Sequence, residues 1–267
     1  SESLPPAYND LVGHPSSSSS SAADELPKAR SVAAFRPTKA FQIESPGHRL
    51  FALPLPPRPD PIPVYAASLN TNTIGDLAYA SLRQTRRSGN CTLVAANDTT
   101  ETPLCTTTYR FGCGRAPRMQ LQDADEFEIT NKGFATRATV LRTHLGTYEW
   151  RYANRQERKV VRAHSLIVLE RVVNVALGGD KEEEQRSIVA MFVRNAEVRT
   201  AGSRDCTAGY GGRLLVDLSE WTDSKGVDDE VEALAVASCI CMMKKEVDRR
   251  RVHQAMAISA GASGGGS

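Results

Sequence analysis

Pro5, Pro6 and Tyr8, within Leu4-Pro-Pro-Ala-Tyr8, form the sharpest chemical signal in this chain. They make the P-P-x-Y pattern recognised by WW domains. The prolines pre-set an extended left-handed helix, so little chain entropy is lost on docking to an aromatic groove, and the tyrosine ring fills the adjoining pocket. WW domains occur in HECT-type ubiquitin ligases, so the motif implies a WW-domain partner, such a ligase included. A second proline-rich stretch, Leu53 to Pro63, contains Pro54-Leu55-Pro56-Pro57. It reads as a rigid connection between early strands, with an SH3-like partner as the alternative.

The other residues able to bind by charge are clustered cations. Arg151, Arg155, Arg158, Lys159 and Arg162 follow a predicted strand and are expected on one loop or turn. Several cations held close together attract phosphates on a membrane surface or a soluble anion. These five are therefore candidate anion- and lipid-binding residues, with a membrane phosphoinositide as the candidate ligand and ordinary surface charge as the competing explanation. Arg83, Arg86 and Arg87 form a smaller group, while Arg249, Arg250 and Arg251 suit a helix end, where cations meet the negative dipole terminus.

Catalytic patterns are weak. The five histidines are scattered and no G-x-S-x-G elbow is present. Gly112-Cys113-Gly114-Arg115 and Gly209-Tyr210-Gly211-Gly212 lie outside any strand-to-helix junction and read as turns, the second as a tight hairpin. Six cysteines occur without a C-x-x-C pair, so no zinc site, other metal or cofactor is expected, and Cys239 and Cys241 read as small core residues. The net charge of +2 argues against nucleic acid as a partner. No enzymatic activity is expected; a hydrolase or transferase with its site in a barrel mouth, or a transcription-linked factor, remains the alternative. The absence of a signal-peptide pattern makes the cytoplasm the expected compartment, with peripheral attachment to membranes.

The elements that position these groups follow from composition and period. Residues 1–37 hold the serine run Ser16 to Ser21 among Pro5, Pro6, Pro15 and Pro27, and bury too little apolar surface to fold. Lys39–Glu44 and His48–Leu55 read as a hairpin turning at Ser45-Pro46-Gly47. Val64–Ser68, Thr107–Phe111, Arg118–Gln122, Glu126–Thr130, Arg137–Thr143 and Gly146–Tyr152 follow as strands, then Ser165–Val173, Ser187–Asn195 and Arg213–Leu218. Residues 69–104 are loop or interrupted strands, and Asp180 to Glu184 is a solvated loop. Asp229 with Glu232 starts a helix whose stretch Ala233 to Met243 is apolar or small on every side. Such a helix must be buried, and at about 16 Å it is too short to span a bilayer. A run of about a dozen antiparallel strands ending in one apolar helix has an economical solution: a closed barrel with the helix through its middle. The domain is expected over residues 38–255, with a flexible tail at 256–267.

Phe41-Gln42-Ile43, the strand pair Arg137–Thr143 and Gly146–Tyr152, and above all the hydrophobic helix Glu232–Lys245 resemble the tubby C-terminal-like superfamily. That group holds tubby domains, phospholipid scramblases and plant LURP-one-related proteins. The resemblance implies a mainly β fold, a twelve-stranded closed antiparallel barrel around a buried C-terminal helix, and a binding or adaptor role. Tubby domains bind phosphoinositides through basic side chains on the barrel, but no residue here matches that set one for one. Nor does the scramblase calcium segment find a match.

Overall fold

Residues 31–49, 59–85, 88–110, 115–133, 136–176 and 182–263 are described in the computed structural model. Twelve strands make its wall: β1 (Lys39–Arg49), β2 (Ile62–Ala67), β3 (Ile74–Leu82), β4 (Cys91–Ala95), β5 (Pro103–Thr108) and β6 (Arg118–Leu121), then β7 (Phe127–Asn131), β8 (Thr139–Thr143), β9 (Gly146–Tyr152), β10 (Ser165–Ala176), β11 (Glu182–Arg194) and β12 (Cys206–Val216). Each strand pairs antiparallel with its neighbour in sequence, and β12 returns to β1, with Phe41 opposite Leu214. Closure removes the open edges that would otherwise template aggregation. One short helix, α1 (Arg155–Val160), lies between β9 and β10, and the long helix α2 (Val227–Ser263) ends the described chain.

The interior is built around α2. Val231 to Met243 are all buried, a length of roughly 20 Å at 1.5 Å per residue. Alternation in the wall turns Ile43, Met119, Ile129, Leu141, Tyr148, Trp150, Leu169, Phe192 and Leu214 onto the helix. Small side chains at Ala233, Ala235, Ala237 and Ser238 let the wall approach closely on all sides. Trp150 Nε1 donates to Ser238 Oγ at 2.9 Å, so the largest core ring is also hydrogen-bonded. At the start of the helix, buried Glu232 accepts from Lys39 Nζ and the Tyr79 hydroxyl, joining α2 to β1 and β3.

A second apolar cluster lies outside the barrel. Leu166, Val168, Ile188, Met191 and Val193 face away from α2 and are covered by Val32 and Phe35, from a short 3-10 turn at Val32–Ala34 and the residue after it. This explains why Leu166 to Leu169 is apolar at every position: one face meets α2 and the other meets the N-terminal strap.

Several sequence expectations are corrected. Ser45-Pro46-Gly47 is no hairpin turn; it is a bulge inside β1, where Gly47 takes φ of +72°. Gly209 to Gly212 form no turn either and lie within β12. A Cβ at Gly211 would meet the Ile43 carbonyl oxygen at 2.0 Å, and one at Gly209 the Val247 side chain at 2.4 Å. These glycines are needed for close approach of β1 and α2, not for chain reversal. For residues 69–104 the alternative of interrupted strands holds, as they contain β3, β4 and the first part of β5, whereas Glu182 to Glu184, expected in a loop, belong to β11. The strap draws residues 32–35 into the fold, although the span 1–37 is expected to be unstructured. Helix α2 starts at Val227, before Asp229, and continues past residue 255 to Ser263.

Candidate anion-binding site

Of the five predicted cations, Arg151 is committed to structure. Its Nη atoms reach Glu157 and its Nε donates to Glu170 at 2.7 Å. Arg186 joins Glu170 to Glu149, and Lys132 reaches Glu149 at 2.8 Å, so a lattice of opposite charges runs over the outside of β9 to β11. Burial alone would raise the Glu149 and Glu157 carboxyls. Hydrogen bonds from Lys132 and Arg186 to the first, and from Arg151 and the Asn154 backbone to the second, hold both below the ordinary carboxylate value.

Arg155, Arg158, Lys159 and Arg162 sit on or just after α1, so the expected loop is a helix. Asn154 caps it: its side chain accepts from the Glu157 backbone while the Glu157 carboxylate reaches back to the Asn154 N–H. Arg155, Lys159 and Arg162 are exposed and form no ion pair among the described residues. Arg158 turns the other way. Its Nη1 donates to the His164 carbonyl at 3.2 Å, and its Nε is buried without a hydrogen-bond partner.

Arg158 thereby enters a cleft of about 480 Å³ beside the emerging end of α2. The cleft gathers Arg137 from before β8, Arg158 and His164 from around α1, and Arg249, Arg250 and His253 from α2. Its floor holds Arg194, Glu246, Tyr152 and Tyr210. Arg194 donates twice to Glu246, at 2.6 and 2.7 Å, and lies over the Tyr210 ring at 4.7 Å. Burial works against the Glu246 charge, but Arg194 and the Tyr152 hydroxyl hold that carboxyl below its usual value. Burial and the same carboxylate push the Tyr152 phenol up to about 12. Glu246, the one acid lining the cleft among the described residues, is thus already paired with Arg194.

Arg137, Arg158, Arg249 and Arg250 form no ion pair among the described residues. Arg249 and Arg137 lie over the Tyr152 ring at 5.7 and 5.9 Å, and the Arg250 Nε is buried with no acceptor. Four unmatched guanidinium groups around one opening create a strong positive potential, and unsatisfied buried donors favour a ligand that brings acceptor oxygens. Arginine's planar fork suits phosphate and carboxylate in particular. The sequence reading missed Arg137, His164, Arg249, Arg250 and His253 as a site. The spacing Glu246, Arg249, Arg250, His253 does place four residues on one helical face, a signal lost when the basic run is read as a helix end.

Other signals resolve as follows. Arg83 pairs with Asp60 at 2.6 Å, whereas Arg86, Arg87 and Gly112 to Gly114 lie outside the described residues, as do Pro5, Pro6 and Tyr8. Cys239 and Cys241 are buried on α2, and burial pushes the Cys241 thiol up to about 12. Among the described residues no group of three or more metal-ligating side chains is gathered, and no helix is long and apolar enough to cross a membrane. No protein-family model, curated protein or solved structure matches the chain.

Proposed function

We propose that the chain is a non-enzymatic binding protein of the tubby-like type, a cytoplasmic adaptor held peripherally at membranes. The cleft takes the phosphorylated headgroup of an anionic lipid such as a phosphoinositide, and Pro5, Pro6 and Tyr8 recruit a WW-domain protein, a HECT-type ubiquitin ligase among the candidates. One observation carries the lipid half: Arg137, Arg158, Arg249 and Arg250 converge on one opening whose one acid among the described residues, Glu246, is already paired with Arg194. The exposed cations Arg155 and Lys159 on neighbouring α1, and Arg162 just after it, extend the same charge across a wider face. A flat anionic surface would meet both.

Co-flotation of the full chain with liposomes that carry or lack phosphoinositides tests this. Binding should depend on the anionic lipid and weaken as salt rises. Removing two cations in Arg158→Gln/Arg250→Gln, at about 1 kcal/mol each, should reduce affinity about 30-fold. Absence of flotation at low salt would overturn the lipid reading. In a separate arm, Tyr8→Ala should abolish capture by a WW domain and leave thermal melting unchanged.

A further inference from the structure

Two helices bring arginines to the cleft, and both carry apolar side chains left in water. Among the described residues the two most exposed large hydrophobics are Met256, at 62 %, and Val160, at 59 %. Met256 stands on α2 and Val160 closes α1, the helices that supply Arg249, Arg250 and Arg158 to the opening. Val252, also exposed, lies one turn before Met256. Arg249 and Met256 are seven residues apart, almost two full turns, so they share one helical face, with Met256 about 10 Å farther from the barrel. The composition changes at the same point. Arg249, Arg250 and Arg251 form a basic collar, and Val252 to Ser263, the rest of the described helix, holds no Asp, Glu, Lys or Arg. Single hydrophobics scattered on a surface need no explanation; apolar tips on the very helices that carry unmatched cations do.

We propose that Val160, Val252 and Met256 are the points at which the protein enters a lipid bilayer, with the emerging end of α2 directed at the membrane. The occupant is the interfacial layer of an anionic bilayer, because the apolar tips accompany cations. Phosphates meet the arginines, and the tips reach the acyl boundary behind them. Interfacial helices bury apolar side chains about 5–10 Å into that boundary, which matches the offset of Met256 from Arg249. Arginine suits the collar, since its stem lies along apolar surface while the guanidinium stays at the level of the phosphates. A second copy packed on the same tips would instead crowd the basic residues of both copies, with no acid between Arg249 and Ser263 to balance them. From Arg251 to Ser263 the helix runs roughly 18 Å, too short for a hydrocarbon core of about 30 Å, so this stretch seats in one leaflet. The proposal rests on the lipid reading of the cleft and adds a second, apolar contact. That contact fixes the orientation of the barrel and makes binding sensitive to lipid packing as well as to charge.

The test places a fluorescent probe in the full chain. In Met256→Trp the added emission should be quenched by phosphoinositide vesicles whose acyl chains are brominated. In Lys225→Trp, exposed just before the other end of α2, it should not. The unaltered chain, whose Trp150 and Trp221 are buried, supplies the background. It should also favour small, highly curved vesicles over large ones of the same lipid, a readout that needs no substitution. Val160→Ser/Met256→Ser should lower vesicle affinity on the order of tenfold and flatten that preference. Flotation without quenching in Met256→Trp would overturn the insertion and leave the lipid reading standing, whereas no flotation at low salt removes both. A dimer in lipid-free buffer that is lost in Val160→Ser/Met256→Ser would give the tips to a second copy and overturn the proposal as well.

Discussion

Arg194 is only 2 % exposed, and it lies against Glu246, on two aromatic rings and under the cleft. A buried guanidinium with its carboxylate removed is left uncompensated, which typically costs about 3–5 kcal/mol. Glu246→Gln should therefore lower the melting temperature markedly in calorimetry. The same change removes the one acid that the described residues contribute to the cleft lining, so whatever protein remains folded should bind anions more tightly. A variant that loses stability and gains affinity would separate the structural pair from the other arginines of the cleft; unchanged affinity would mean that Glu246 contributes little to the field of the opening. The outward cations were legible as a group because they crowd into one stretch of chain, Arg151 to Arg162. Their division of labour was not, since Arg151 is claimed by Glu170 from the next strand and Arg158 by a cleft assembled from three separate segments.

At the scale of elements, α2 declares itself because no face of Ala233 to Met243 is polar, and β9 because Tyr148, Trp150 and Tyr152 alternate. Strand β3 was ambiguous for the opposite reason: Ile74 to Leu77 are exposed, so the inside-outside contrast that marks a strand is missing there. The Pro46-Gly47 pair misleads because the residue types that reverse a chain also build a bulge. Close packing around α2 makes a sharp expectation. Ala235 is fully buried with wall side chains around it. Ala235→Leu should cost about 1–3 kcal/mol through overpacking, seen as a lower denaturant midpoint with unchanged slope. A neutral result would mean that space remains beside the helix. By contrast, the outer strap covers a separate cluster, so Phe35→Ala should destabilise without disturbing the Trp150–Ser238 contact inside.

For the whole molecule, the carboxylates Glu149, Glu157 and Glu246 share one property: each is held below its ordinary value in the folded chain. A group with a depressed folded pKa lends stability that is fully present above its unfolded pKa, about 4.3 for glutamate, and is lost as pH falls through the folded pKa. Stability should consequently be flat from neutral pH down to about pH 5 and decline below it. Chemical unfolding at a series of pH values checks this, and a decline that begins near pH 7 would point to histidines instead. The barrel as a whole was legible because strand count, turn spacing and one apolar helix admit few closed solutions. Which end of it carries the arginine cleft was not, since that depends on where α1 and the Glu246–His253 stretch of α2 come together in space.

The seam between the first strand and the last sets a schedule for synthesis. Lys39 waits for Val216, and every inward side chain waits longer still, for the helix that leaves the ribosome after the entire wall. At 5–20 residues per second, translation from the first strand to the end of the buried helix takes on the order of 10–40 s. Throughout that interval the nascent chain presents a half-built trough with its lining bare, a natural client for chaperones that shield apolar strands. Ribosome-bound chains halted before α2 should be cleaved readily by protease, and chains released to full length should become resistant in one step.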